Sequence, residues 1–171
     1  MYKLIAIIFI INLHACSVKD YYGDLTPGDQ AIVNKALTIN ANDARVSIQN
    51  GKVVEYARLD HYYPHCWFIS LKRNTSPQII KPDTFRIVKM RHAYEYVMNL
   101  KGGYLLSLLS QSAGLTAVSY MTEIDIASER QKNITRLLCS HWEDPEDAEH
   151  LSIAQINQTL GSLVSITLKN N

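Results

Sequence analysis

The sequence predicts a mainly β protein, an antiparallel β-sandwich or partly open barrel with one C-terminal helix. Three observations carry this. Residues 117–127 alternate cleanly, with Val118, Tyr120, Thr122, Ile124 and Ile126 on one face and Ser119, Met121, Glu123 and Asp125 on the other; that period of two marks a half-buried antiparallel strand. Asn50-Gly51 stands between Arg45-Val46-Ser47-Ile48-Gln49 and Lys52-Val53-Val54, the signature of a type I′ hairpin, whose two turn residues both need positive φ. Late in the chain Ser152 precedes Ile153, Ile156, Leu160 and Leu163/Val164 at spacings of three and four, which predicts a capped amphipathic helix.

The chain begins with a different kind of segment. Lys3 supplies a positive charge, Leu4 to Ile11 is an unbroken apolar run, and Asn12 to Ala15 is polar with a small end. This is the layout of a secretory signal. As a helix the apolar run spans about 12 Å at 1.5 Å per residue, against a hydrocarbon core of roughly 30 Å, so it is too short for a permanent transmembrane helix. Leu13, His14, Ala15 and Cys16 close the segment. These four residues resemble the lipobox of a bacterial lipoprotein precursor; Leu13, Ala15 and Cys16 fit the pattern, and His14 departs from the usual small or hydroxyl residue. The resemblance implies that residues 1–15 are removed and that Cys16 becomes a diacylglycerol-modified, acylated N-terminus. Several acyl chains give a stable anchor where one is marginal. Ser17, where the family uses Asp for inner-membrane retention, implies the outer membrane.

The remaining elements follow in order. Residues 16–29 form the lipidated N-terminus and a polar tether with Gly23, Pro27 and Gly28, and residues 30–171 form a single β-rich domain. Residues 30–39 are expected to be one strand ending at the Asn40–Asp43 turn. Cys66 to Lys72 is an apolar run with Trp67, Phe68 and Ile69, expected as a central strand entered through Pro64. Residues 74–82 are expected to be a loop between Pro77 and Pro82. Thr84 to Met90 is a further strand with Arg86 and Lys89 in solvent, which Arg91 to Val97 extend. Gly102-Gly103 then breaks the chain, and Tyr104–Leu109 is apolar within an expected loop. Residues 128–133 turn the chain, and Ile134 to Trp142 pair with the alternating strand. Residues 143–150 form a solvated acidic loop rich in Glu143, Asp144, Glu146, Asp147 and Glu149, without the spacing of a calcium loop.

The part after Cys16 is faintly similar to small proteobacterial outer-membrane lipoproteins, through Tyr63-Pro64-His65-Cys66 with its following aromatic, Pro82-Asp83-x-Phe85, and Cys139 near Trp142. This likeness implies no particular activity. Removing residues 1–15 takes away only Lys3 among the charged residues and leaves 16 basic against 16 acidic. A neutral domain lacks the basic footprint expected of a nucleic-acid binder.

The chemistry-bearing residues are few. Cys66 and Cys139 are the cysteines that remain after Cys16. In an oxidising periplasm they are expected to form a disulfide. The alternative is zinc or copper held by Cys66, Cys139, His65 and His141, with His61 nearby. Against it stand the lack of a C-x-x-C and the strand period, which turns His65 and Cys66 to opposite faces while Cys139 and His141 share one. No G-x-S-x-G or other catalytic motif occurs. The expectation is a non-enzymatic envelope lipoprotein without cofactor or resident metal, facing the periplasm from an outer-membrane anchor. Its role would be structural, in assembly or in binding, with an envelope protein as partner. Trp67, Tyr62, Tyr63, Tyr94 and Tyr96 are the aromatics available to line a partner surface, and core packing accounts for them equally well.

Overall fold

The computed structural model describes residues 25–97, 117–145 and 149–169. The signal segment, Cys16, the apolar stretch Tyr104–Leu109 and part of the acidic loop lie outside the described residues. The strands are β1 (Gln30–Val33), β2 (Leu37–Ile39), β3 (Arg45–Gln49), β4 (Lys52–Val54), β5 (His65–Ser70), β6 (Gln78–Ile80), β7 (Asp83–Val97), β8 (Ala117–Ala127), β9 (Ile134–Glu143) and β10 (Val164–Thr167). A 3₁₀ turn covers Tyr56–Arg58 and the helix α1 covers Ile153–Leu160.

Eight strands form one antiparallel sheet in the order β10-β1-β7-β8-β9-β5-β3-β4, curled into a half-barrel. β2 and β6 form a separate two-stranded sheet. The core lies on the inner face, where Ile48, Phe68, Leu137, Ile124, Phe85 and Ile87 meet Ile156 and Leu160 of the helix. Each side chain of this size contributes about 1.5–3 kcal/mol when fully withdrawn from water. The helix packs on β10 near one edge of the sheet and on β3 and β5 near the other, so it bridges the two ends of the curl. Its start is a capping box: Ser152 Oγ accepts from the Gln155 amide, and the Gln155 side chain accepts from the Ser152 amide. Such a cap is worth about 1 kcal/mol. Its end meets the β3–β4 turn, where the Gly51 amide donates to the Thr159 carbonyl at 2.8 Å.

The hairpin, the central position of β5 and the pairing of β8 with β9 agree with the sequence reading. β7 runs through Arg91–Val97 as one long strand. Its register with β8 shifts between Ile87 and Lys89, leaving Val88 exposed.

Three expectations are corrected. Residues 30–39 are two strands in different sheets, because the Asn34 and Lys35 amides leave the ladder and donate to the Leu163 carbonyl. The expected loop 74–82 contains β6, which pairs with β2. The helix stops at Leu160 rather than running to Leu163/Val164. Gly161 takes φ 58° and ψ −138°, and Val164 opens a strand paired with β1.

Two buried carboxylates fasten the lower part of the sheet. Asp83 accepts from Thr84 N–H, Ser128 Oγ and Gln131 Nε2 and pairs with Arg130, tying the β8–β9 turn to the start of β7. Burial pushes its carboxyl up, but these hydrogen bonds outweigh burial and hold it at about 2. Asp29 accepts from the Thr26 amide and hydroxyl and from the Lys169 amide. It thereby joins the entry to β1 to the exit from β10.

Candidate functional site

The upper part of the sheet concentrates the imidazoles. Every histidine among the described residues belongs to one of two clusters on opposite faces of β5, β8 and β9, with the disulfide between them. Cys66 and Cys139 are directly opposed on β5 and β9 and are bonded to one another, both fully buried on the core face.

The inner cluster continues the core face past the disulfide. His141 lies two residues beyond Cys139, and its Nε2 is 2.9 Å from the Glu143 carboxylate. Across the sheet Tyr120 stands opposite His141, and Tyr94 opposite Tyr120. His150 reaches in from the segment before the helix, with its ring 4.2 Å from that of His92 and 5.4 Å from that of Tyr120. Burial first, then the neighbouring His92 and His141, holds His150 at about 4. His150 is therefore a neutral packing partner of Tyr120 and His92 at neutral pH. Tyr94 and Tyr96 face solvent beside them.

The outer cluster is built by residues 55–64, which leave β4 and lie across the outer face of the sheet. His65 and Trp67 point outward because they alternate with Cys66 and Phe68. Their rings are 4.7 Å apart. His61 stacks on Trp142 at 4.6 Å and meets the His65 ring edge at 5.1 Å. The Arg45 guanidinium sits 4.0 Å over the Tyr56 ring, and Tyr62 packs edge-on against Trp142. Arg45 also borders a shallow polar groove with Asn40, Asp43, Ser47 and Glu55. The segment is pegged by the buried Gln49 amide, which donates to the Asp60 carbonyl and accepts from the Asp60 amide. The Trp142 amide donates to the His61 carbonyl at 2.8 Å. His65 Nδ1 lies 2.9 Å from the Tyr63 carbonyl, so that nitrogen carries the proton and Nε2 is left as an acceptor. Burial above all holds His65 at about 4 and lowers His61.

The structure does not bring the four alternative metal ligands together. The two sulfurs are joined to each other, His141 shares their face, and His65 lies on the other side of the sheet. Among the described residues no group of three or more His, Cys, Asp or Glu side chains is placed to hold a metal ion. Sequence reasoning finds the cysteine pair and the aromatic density of His61-Tyr62-Tyr63-Pro64-His65-Cys66-Trp67. It misses Gln49, whose partners lie 11 and 14 residues away, and it misses the approach of His150 to His92. A fourfold charge network of Arg91, Glu123, Asp125 and Arg136 also links β7, β8 and β9 on the outer face.

No protein-family model matches the chain, and no curated protein or solved structure is significantly similar to it.

Proposed function

We propose that this chain is a lipid-anchored protein of a bacterial cell envelope, whose β domain serves a non-enzymatic role as a binding or scaffolding module. The observation that carries this reading is the fully buried Cys66–Cys139 bond between paired strands. A structural disulfide belongs to an oxidising compartment, and Leu13-His14-Ala15-Cys16 supplies the matching route out of the cell. A membrane and an envelope protein are the partners this implies. The balance of charge speaks against nucleic acid.

A binding role is supported by how the ionisable groups are used. Asp29, Asp83, Arg91 and Arg136 join strands to one another, and the histidines pack against aromatic rings. The upper end of the sheet exposes Tyr62 and Tyr63 on the outer side and Tyr94 and Tyr96 on the inner side. Tyrosines of this kind supply rigid, amphipathic contact area at interfaces.

Expression of the full chain in a bacterium with a clickable palmitate analogue tests the address. The wild-type chain is expected to carry the label and to fractionate with the outer membrane. The Cys16→Ser variant is expected to carry none. A wild-type chain that stays unlabelled, or a variant that still takes the label, contradicts the reading.

A further inference from the structure

Residues 55–64 are held to the sheet by Tyr56 against Arg45 and Trp67, by Tyr62 against Trp142, and by a set of contacts centred on one pair of imidazoles. His61 supplies the carbonyl that accepts from Trp142 and the ring that covers it. His65 supplies the N–H that holds the Tyr63 carbonyl. Gln49 holds Asp60 and Tyr63 from below. We infer that residues 55–64 form a flap that acid releases from the outer face of the sheet, through protonation of the packed pair His61 and His65.

The geometry gives the proton no place in the closed state. His65 is fully buried, its Nδ1–H is committed to Tyr63, and its Nε2 has no hydrogen-bond partner among the described residues. A second proton would set an unpaired cation in that position, with the His61 ring 5.1 Å away. The surrounding charges do little to accept it. From β3 come Arg45, which is repulsive, and the neutral Ser47 and Gln49; from β9 come Ser140 and Trp142. His141 acts from the other face of the sheet and opposes protonation, while Asp60 on the flap favours it. Glu55, also on the flap, is paired with Arg58. Lifting the flap hydrates both imidazoles, so the open form binds protons more tightly.

The sign follows from linkage. An ordinary imidazole titrates near 6.5 and the closed His65 at about 4, so closure is fully favoured above 6.5 and is weakened as pH falls from 6.5 to about 4. For His65 alone the opening equilibrium rises roughly 70-fold between pH 7.5 and pH 4.5. The sheet stays in place while the flap leaves, because the disulfide joins β5 to β9 at the rung next to His65 and Ser140. Opening uncovers Trp67 and Trp142, an aromatic face that is shielded at neutral pH.

Hydrogen exchange on the full chain at pH 7.5 and 4.5, corrected for the intrinsic pH dependence of exchange, tests this directly. The amides of Asp60 and Trp142 report the flap, since they donate across its seam to Gln49 and His61. Their protection is expected to fall by about 70-fold, while the β5 and β9 amides around Phe68 and Leu137 keep theirs. His65→Gln is expected to abolish most of that pH dependence, and His61→Gln to abolish a smaller part. Flap amides that keep their protection at pH 4.5 overturn the inference. So does a loss shared by the whole sheet, or a His65→Gln chain that follows the wild type.

Discussion

Replacing Cys66 and Cys139 together by alanine is expected to lower the unfolding free energy by about 4 kcal/mol, measured by denaturant titration against the oxidised wild type. The two residues lie 73 apart in sequence yet oppose one another across β5 and β9. The bond therefore removes the freedom of a long loop from the unfolded chain. Domains of this size retain roughly 5–15 kcal/mol in all, so the reduced form stands near the edge of stability. The sites are fully buried on the core face beside Phe68 and Leu137, and the void left by two lost sulfurs adds to the loss. The double variant is the proper test, because a single replacement leaves a free buried thiol. A change below about 1 kcal/mol would show that the strands hold without the bond, a value outside the expected range for a native disulfide.

Gly161→Ala is expected to destabilise the fold by roughly 3 kcal/mol, from backbone strain and overpacking together. At φ 58° and ψ −138° the backbone of Gly161 is in a region that residues with a Cβ avoid. An added Cβ would stand 2.7 Å from the Cα of Gly51, which is main chain and has no side chain to turn aside. Gly51 is itself fixed at φ 69° by the hairpin turn. The hairpin tip must then move, and with it goes the bond from the Gly51 amide to the Thr159 carbonyl. This is where the helix meets the β3–β4 edge of the half-barrel, so the loss is felt across the fold. Gly28→Ala is the control: its φ of 108° also strains a side chain, but the new atom meets only the flexible Lys169 side chain at 3.6 Å. A thermal melt that ranks Gly28→Ala as the more damaging change would refute this account of closure.

Local signals in the sequence read well where geometry is local. Asn50 and Gly51 take φ 52° and 69°, as a two-residue hairpin turn requires. β8 alternates because one face is packed and the other bears Glu123 and Asp125. Ser152 marks the helix start because its cap partner is three residues away. Elements set by distant partners are hidden. β1 and β2 read as one strand because nothing in Asn34-Lys35-Ala36 announces that Leu163 takes the amides. β6 is three residues long with Ile79 exposed, too short to show a period. Leu163 and Val164 fit a helical spacing, and only the pairing of Val164 with Val33 reveals a strand.

The candidate site divides in the same way. The cysteine pair follows from counting, and the separation of His65 from Cys66 follows from the period of a strand. The flap depends on a glutamine that reaches the backbone of another segment, and the inner cluster depends on His150 returning to β7 and β8. Neither contact leaves a mark in the local sequence.

The central claim is that this is an oxidised domain carried on a lipid at Cys16, and the most direct measurement is the intact mass of the chain extracted from a bacterial envelope. The account predicts a species beginning at Cys16, heavier by a diacylglyceryl group and an acyl chain, and lighter by the two hydrogens lost between Cys66 and Cys139. A chain that retains residues 1–15, carries no lipid and holds both thiols reduced would contradict it.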